Sequence, residues 1–99
     1  MNIEEMIING APIIDVRTPM EFDSAQVVGS KNIPLNEVTM RIEEFKAIGQ
    51  PFLLCCLSGN RSGQATAFLN AQGIECYNGG AWTQINYIIA NSSTIKKAV

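Results

Sequence analysis

The sequence predicts an α/β fold, a mostly parallel central sheet flanked by helices on both faces. Three observations lead there. Pro12-Ile13-Ile14-Asp15-Val16 and Pro51-Phe52-Leu53-Leu54-Cys55-Cys56 are short apolar runs, too brief for helices and suited to strands buried on both faces. Stretches with helical apolar spacing alternate with these runs. The connections between them are short, as in strand–helix–strand units.

Taken in order, residues 2 to 9 form a short helix: Asn2 and Glu5 make a capping arrangement, Ile3, Met6 and Ile7 share a face, and Gly10 stops it. The first strand covers 12–16. Thr18-Pro19-Met20-Glu21 is a capping box with proline at the first helical position, so a helical turn through Phe22 follows. Gly29-Ser30 breaks the chain, and Lys31-Asn32-Ile33-Pro34 is a short strand ended by proline. Asn36 caps a helix reaching Ala47, with Val38, Ile42 and Phe45 as its apolar stripe and Glu37 and Arg41 placed to pair. Gly49 closes that helix.

The second buried strand runs to Cys56. The chain then breaks into Ser58, Gly59 and Asn60, residues that favour turns. A helix follows, with Ala65, Phe68 and Leu69 on one face and Gly73 as its stop. Gly73 to Tyr77 is a further strand, turned by Asn78-Gly79-Gly80, and Trp82, Ile85 and Ile89 mark a last helix to Ala90. The expected organisation is one domain over residues 1–99, with a core from about 12 to 90 and residues 91–99 as a mobile tail.

Composition narrows the function. A net charge of -2, with seven scattered Lys and Arg, argues against a nucleic-acid partner. No apolar run approaches a membrane span, and the acidic Met1-Asn2-Ile3-Glu4-Glu5 start differs from a signal peptide, which points to the cytoplasm. Histidine is absent and the three cysteines have no metal-ligand spacing, so neither a zinc site nor a Cys-His pair is expected.

One stretch carries chemistry. A strand ending at Cys56, a tight loop and a helix start follow one another, so loop amides and the positive end of the helix converge on the sulfur. Arg61 adds a full positive charge. Both favour the thiolate, which makes Cys56 a nucleophile suited to meeting an anion. Cys55 points to the opposite side of the strand by alternation and is a buried hydrophobe, as is Cys76.

With these residues placed, the chain resembles the rhodanese-like (single-domain sulfurtransferase) family from about Pro12 to Trp82. The pieces stand in family order: Asp15-Val16-Arg17, Glu21-Phe22, Val28-Gly29-Ser30-Lys31-Asn32-Ile33-Pro34, Cys56-Leu57-Ser58-Gly59-Asn60-Arg61-Ser62 and Gly79-Gly80-Ala81-Trp82. The resemblance implies a three-layer α/β/α domain with Cys56 as the sulfur carrier. Leu57, Ser58, Gly59, Asn60 and Ser62 then form the substrate-binding cradle, with Arg61 on the anionic substrate or persulfide. Asp15, Arg17 and Trp82 are supporting residues: Asp15 bonds loop amides, Arg17 and Glu21 can pair across the first turn, and Trp82 is a core or pocket-wall aromatic.

The implied reaction moves a sulfane sulfur from a donor such as thiosulfate to cyanide, a small thiol or a thiol protein, with no cofactor, metal, nucleic acid or membrane. The chain departs from the family at Gln26, where a histidine is usual, and at Leu57, where a polar or basic residue is common. Counted from Cys55, the spacing to Arg61 is that of the cysteine-dependent phosphatases; Gly59, three after Cys56, favours the rhodanese register. A phosphatase or arsenate reductase, and a non-catalytic or regulatory binding module of the same fold, are the alternatives.

Overall fold

The structure, a computed structural model, describes residues 2–92; of the expected tail, residues 93–99 lie outside the described residues. Asn2 caps α1 (Ile3–Ile8), its side chain accepting from the Glu4 and Glu5 amides. Strand β1 (Ile13–Asp15) leads to α2 (Pro19–Ser24), whose capping box is complete: the Thr18 hydroxyl accepts from the Glu21 amide and the Glu21 carboxylate from the Thr18 amide. Strand β2 (Lys31–Asn32) follows.

The single helix expected from Asn36 to Ala47 is two elements, a 3-10 helix (Leu35–Met40) and α3 (Ile42–Lys46). Pro34, with extended backbone, occupies the cap position, so the 3-10 helix begins before Asn36 and Asn36 caps nothing. Three-residue periodicity brings Leu35 and Val38 to the same side, toward the core. Arg41 then leaves helical backbone (φ -119°, ψ 29°), and its guanidinium bridges the break by pairing with Glu37 and Glu44. Ala47, not Gly49, caps α3.

All five residues of β3 (Phe52–Cys56) are buried. Helix α4 (Asn60–Ala71) ends ahead of Gly73, at φ +80°. Strand β4 (Cys76–Ala81) differs from expectation: it runs through Asn78-Gly79-Gly80 instead of turning there. Leu54 pairs with Asn78 and Cys55 with Gly80, so Gly79 is an extra residue in the ladder. A side chain at Gly79 would meet the Leu54 carbonyl at 3.1 Å, so this glycine serves close backbone approach rather than a turn. Helix α5 (Trp82–Asn91) completes the described chain.

The sheet order is β2-β1-β3-β4, all parallel. Side-chain alternation divides the core. Ile14, Val16, Leu54 and Cys56 face Phe45, Ala65 and Leu69 of α3 and α4. Leu53 and Cys55 face Met6, Ile7 and Ile85 of α1 and α5. From β1 the chain goes outward to β2 and returns to β3 on the other side of β1. The carboxyl ends of β1 and β3 therefore flank the point where strand order reverses, the usual crevice for ligands in such sheets.

Candidate active site

Cys56 ends β3 at that crevice, its side chain buried. The chain turns through Leu57, Ser58 and Gly59 and enters α4, and the turn depends on Gly59 at φ +100°. A Cβ there would also lie 3.3 Å from the Gly80 Cα, so the position needs glycine on two grounds. This geometry points the Gly59 amide at the Cys56 sulfur from 3.0 Å, and the Ser62 amide and hydroxyl lie 3.4 Å away.

Burial pushes the Cys56 thiol up, but the Ser62 hydroxyl and amide, then the Gly59 and Ser58 amides, outweigh it, and the net shift is downward. Those donors stabilise the thiolate. Cys55 shows the contrast. It packs in the other core layer, and burial first, then Asp15, pushes its thiol up to about 12. The register that counts from Cys55 thus starts from an inert thiol facing away from the loop. Cys76, in the core beneath α4, is pushed up to about 11 by burial.

The side chains named from sequence come together unevenly. Ser62 is buried and touches the sulfur, whereas Leu57, Ser58 and Asn60 are exposed, Leu57 by 57%. Arg61 is turned to Glu21: its two terminal nitrogens donate to the two carboxylate oxygens at 2.7 and 3.0 Å. Those hydrogen bonds first, and then the Thr18 amide, hold the Glu21 carboxyl down at about 2.

The expected Arg17–Glu21 side-chain pair is replaced. Arg17 is buried against buried Asp15, whose carboxylate accepts from the Arg17 amide at 2.9 Å and from the guanidinium at 2.8 to 3.0 Å. The two terminal nitrogens of Arg17 also donate to the carbonyls of Glu21 and Ala25, closing the end of α2. The Arg17 guanidinium also lies over the Trp82 ring, 4.6 Å from its centroid. Asp15 is buried beside Arg17, whereas the partly exposed Glu21 carboxylate is taken by Arg61 and the Thr18 amide.

Asn78 is the residue that sequence reasoning missed. Its amide donates to the Gly59 carbonyl at 2.9 Å, and its carbonyl oxygen receives the Gly80 amide at 3.0 Å and lies 2.7 Å from the Ser62 hydroxyl. The one Ser62 hydroxyl proton thus has two acceptors, Asn78 and the Cys56 sulfur. The available signal was an asparagine, a poor strand former, held inside a strand before two glycines. Beside the loop opens a cleft of about 370 Å³ lined by Val16, Thr18, Pro34, Leu35, Asn36 and Arg61. Among the described residues no group of three or more His, Cys, Asp or Glu gathers to hold a metal, and no helix is long and apolar enough to cross a membrane.

A parallel α/β sheet in which a cysteine ends a central strand and a short loop of amide donors leads from it into a helix defines a recognisable class of domain. The chain belongs, within that class, to the rhodanese-like domain family, whose model matches residues 2–84. It is 39% identical over 69 residues to the uncharacterized protein YqhL of Bacillus subtilis, covering 69% of this chain and 54% of that one. It is 30% identical over 72 residues to the thiosulfate sulfurtransferase GlpE of Ectopseudomonas mendocina, covering 73% and 65%. This chain thus spans about half to two thirds of the length of these curated relatives. A solved rhodanese with anions from E. coli superposes with a TM-score of 0.67 at 33% identity, covering 75% of this chain and 89% of that one.

Proposed function

We propose that the protein is a sulfurtransferase that carries a sulfane sulfur on Cys56. The observation that carries the reading is the three donors converging on one buried sulfur at the start of α4. Such a cradle stabilises a thiolate before attack and a terminal sulfur anion after it. The thiolate attacks the outer sulfur of a donor R–S. The S–S bond forms as the donor's bond breaks, and the donor remainder leaves with the electron pair (sulfite, if the donor is thiosulfate). An acceptor, cyanide or the thiolate of a small molecule or protein, then attacks the outer sulfur and Cys56 leaves as thiolate. Neither step calls on a cofactor. The similarity to GlpE supports sulfur-transfer partners as a class.

The test is an intact mass after incubation with a sulfane donor. The expected result is a reducible gain of one sulfur, about 32 Da, absent from Cys56→Ser and retained in Cys55→Ala. A wild-type chain that gains no sulfur from any donor is a binding module of this fold and not an enzyme.

A further inference from the structure

Every Lys and Arg among the described residues is committed to a carboxylate. Arg17 pairs with Asp15, Lys31 with Glu44, Arg41 with Glu37 and Glu44, and Lys46 with Glu43. Arg61, the one cation at the loop, presents both terminal nitrogens to Glu21. Glu21 stays ionised because Arg61 and the Thr18 amide both donate to it. Side-chain charge near the sulfur thus largely cancels in pairs: the thiolate is met directly by the neutral Gly59 and Ser62 amides and the Ser62 hydroxyl, and by Arg61 only through space, both its terminal nitrogens being taken by Glu21. Two exposed residues beside these groups are large and apolar, Leu57 next to Cys56 and Met20, 83% exposed, next to Glu21, whereas Ser58 and Asn60 of the loop are exposed and polar.

We infer that Glu21 is a specificity-determining residue that occupies the Arg61 fork, turns dianionic donors away, and leaves Cys56 selective for sulfane donors of low charge with an apolar substituent. The inference rests on the sulfur-transfer reading and names its substrate class. A dianion meets the thiolate and Glu21 with two charges where a monoanion brings one. With both Arg61 terminal nitrogens taken by Glu21, the second charge of a dianion finds no free cation, which costs about tenfold in rate for a partly shielded contact. Methanethiosulfonate is the natural probe, being thiosulfate with one oxyanion replaced by methyl. Its reaction is balanced: the Cys56 thiolate takes the terminal sulfur, the donor S–S bond breaks, and methanesulfinate leaves with the electron pair.

The experiment measures single-turnover sulfur loading from thiosulfate and from methanethiosulfonate, by quenched intact mass, for wild type and Glu21→Gln. Glutamine keeps the capping acceptor and removes the charge. The intrinsic reactivities of the two donors cancel when their rate ratio is compared between variants. The expected result is a thiosulfate-to-methanethiosulfonate ratio that rises about tenfold in Glu21→Gln. A purely structural role for Glu21 lowers both rates together, and a ratio that stays put overturns the inference. Should that variant fail to fold, Leu57→Lys decides: a new cation at this exposed position raises the same ratio, and an unmoved ratio overturns the proposal. Loading from neither donor overturns the sulfur-transfer reading itself.

Discussion

At the scale of single residues, the property that matters is how one buried sulfur is surrounded by hydrogen-bond donors that favour its anion. Its donors are two backbone amides and one hydroxyl, and the hydroxyl is shared with Asn78. Because the shift is downward, the midpoint of Cys56 alkylation against pH is expected below that of an ordinary thiol. Ser62→Ala removes the hydroxyl and leaves the amide, so that midpoint should rise while the fold is kept. Peptide-resolved mass spectrometry after iodoacetamide treatment reads both, and Cys55 and Cys76 serve as unreactive internal controls. A Cys56 profile indistinguishable from that of Cys55 contradicts the cradle. Arg61→Ala has a second cause of loss besides the missing cation, since it leaves the Glu21 carboxylate facing the thiolate. Its alkylation midpoint should rise and sulfur loading should slow with every donor. Arg61→Lys keeps the charge, loses the fork, and should fall between.

At the scale of elements, the loop between β3 and α4 is held from outside. Gly59 lies against Gly80 of β4, and Asn78 ties the two segments by a hydrogen bond. Gly59→Ala is therefore expected to cost about 1–2 kcal/mol from its left-handed backbone alone, and more from contact with β4. Gly10→Ala is the control: its φ is +80° with open space around the added carbon, so it should show only the backbone cost. Urea unfolding compares the two, and only Gly59→Ala should also lose sulfur loading. In α2 the capping box and the Arg61 pair converge on the same carboxylate, so Thr18→Ala should cost about 1 kcal/mol and loosen the grip on Arg61 as well.

Across the whole molecule, the Asp15–Arg17 pair joins β1 to α2 and, through Trp82, to α5. Removing one partner leaves the other charge buried, so Arg17→Ala is expected to lose about 3–5 kcal/mol of unfolding free energy. A loss below about 1 kcal/mol in denaturant unfolding would contradict that placement. Stability should also fall in acid. Glu21 and Glu44 are held down at about 2, Glu21 chiefly by its hydrogen bonds to Arg61 and Glu44 by those to Arg41, against an ordinary 4.5. The unfolded chain therefore binds more protons between those values. The two contributions are complete above about 4.5 and disappear as pH falls toward about 2. Urea midpoints at pH 6 and pH 3 should show this, with a smaller difference in Glu21→Gln.

Short-range order was legible from sequence because it is made by near neighbours. The Thr18–Glu21 capping box, the Glu37–Arg41 pair, the buried strand ending at Cys56 and its alternation with Cys55 all follow from spacing along one element. The break at Arg41 was not legible, because a 3-10 helix and an α-helix share their apolar spacing over so few residues. Asn78-Gly79-Gly80 has the composition of a turn; only its pairing with β3 makes it a strand with an extra residue. The partners of the charges were the least legible of all. Arg61 and Glu21 stand forty positions apart, and Ser62 and Asn78 sixteen, so no periodicity links them. The sequence by itself determined that Cys56 ends a buried strand and that amides and a helix start surround its sulfur, since a strand, a glycine turn and a helix are local events. The tertiary structure alone decided that the cation beside it already has a carboxylate, because charge pairing depends on distance in space, and the fold brings Glu21 of α2 within reach of Arg61 at the start of α4.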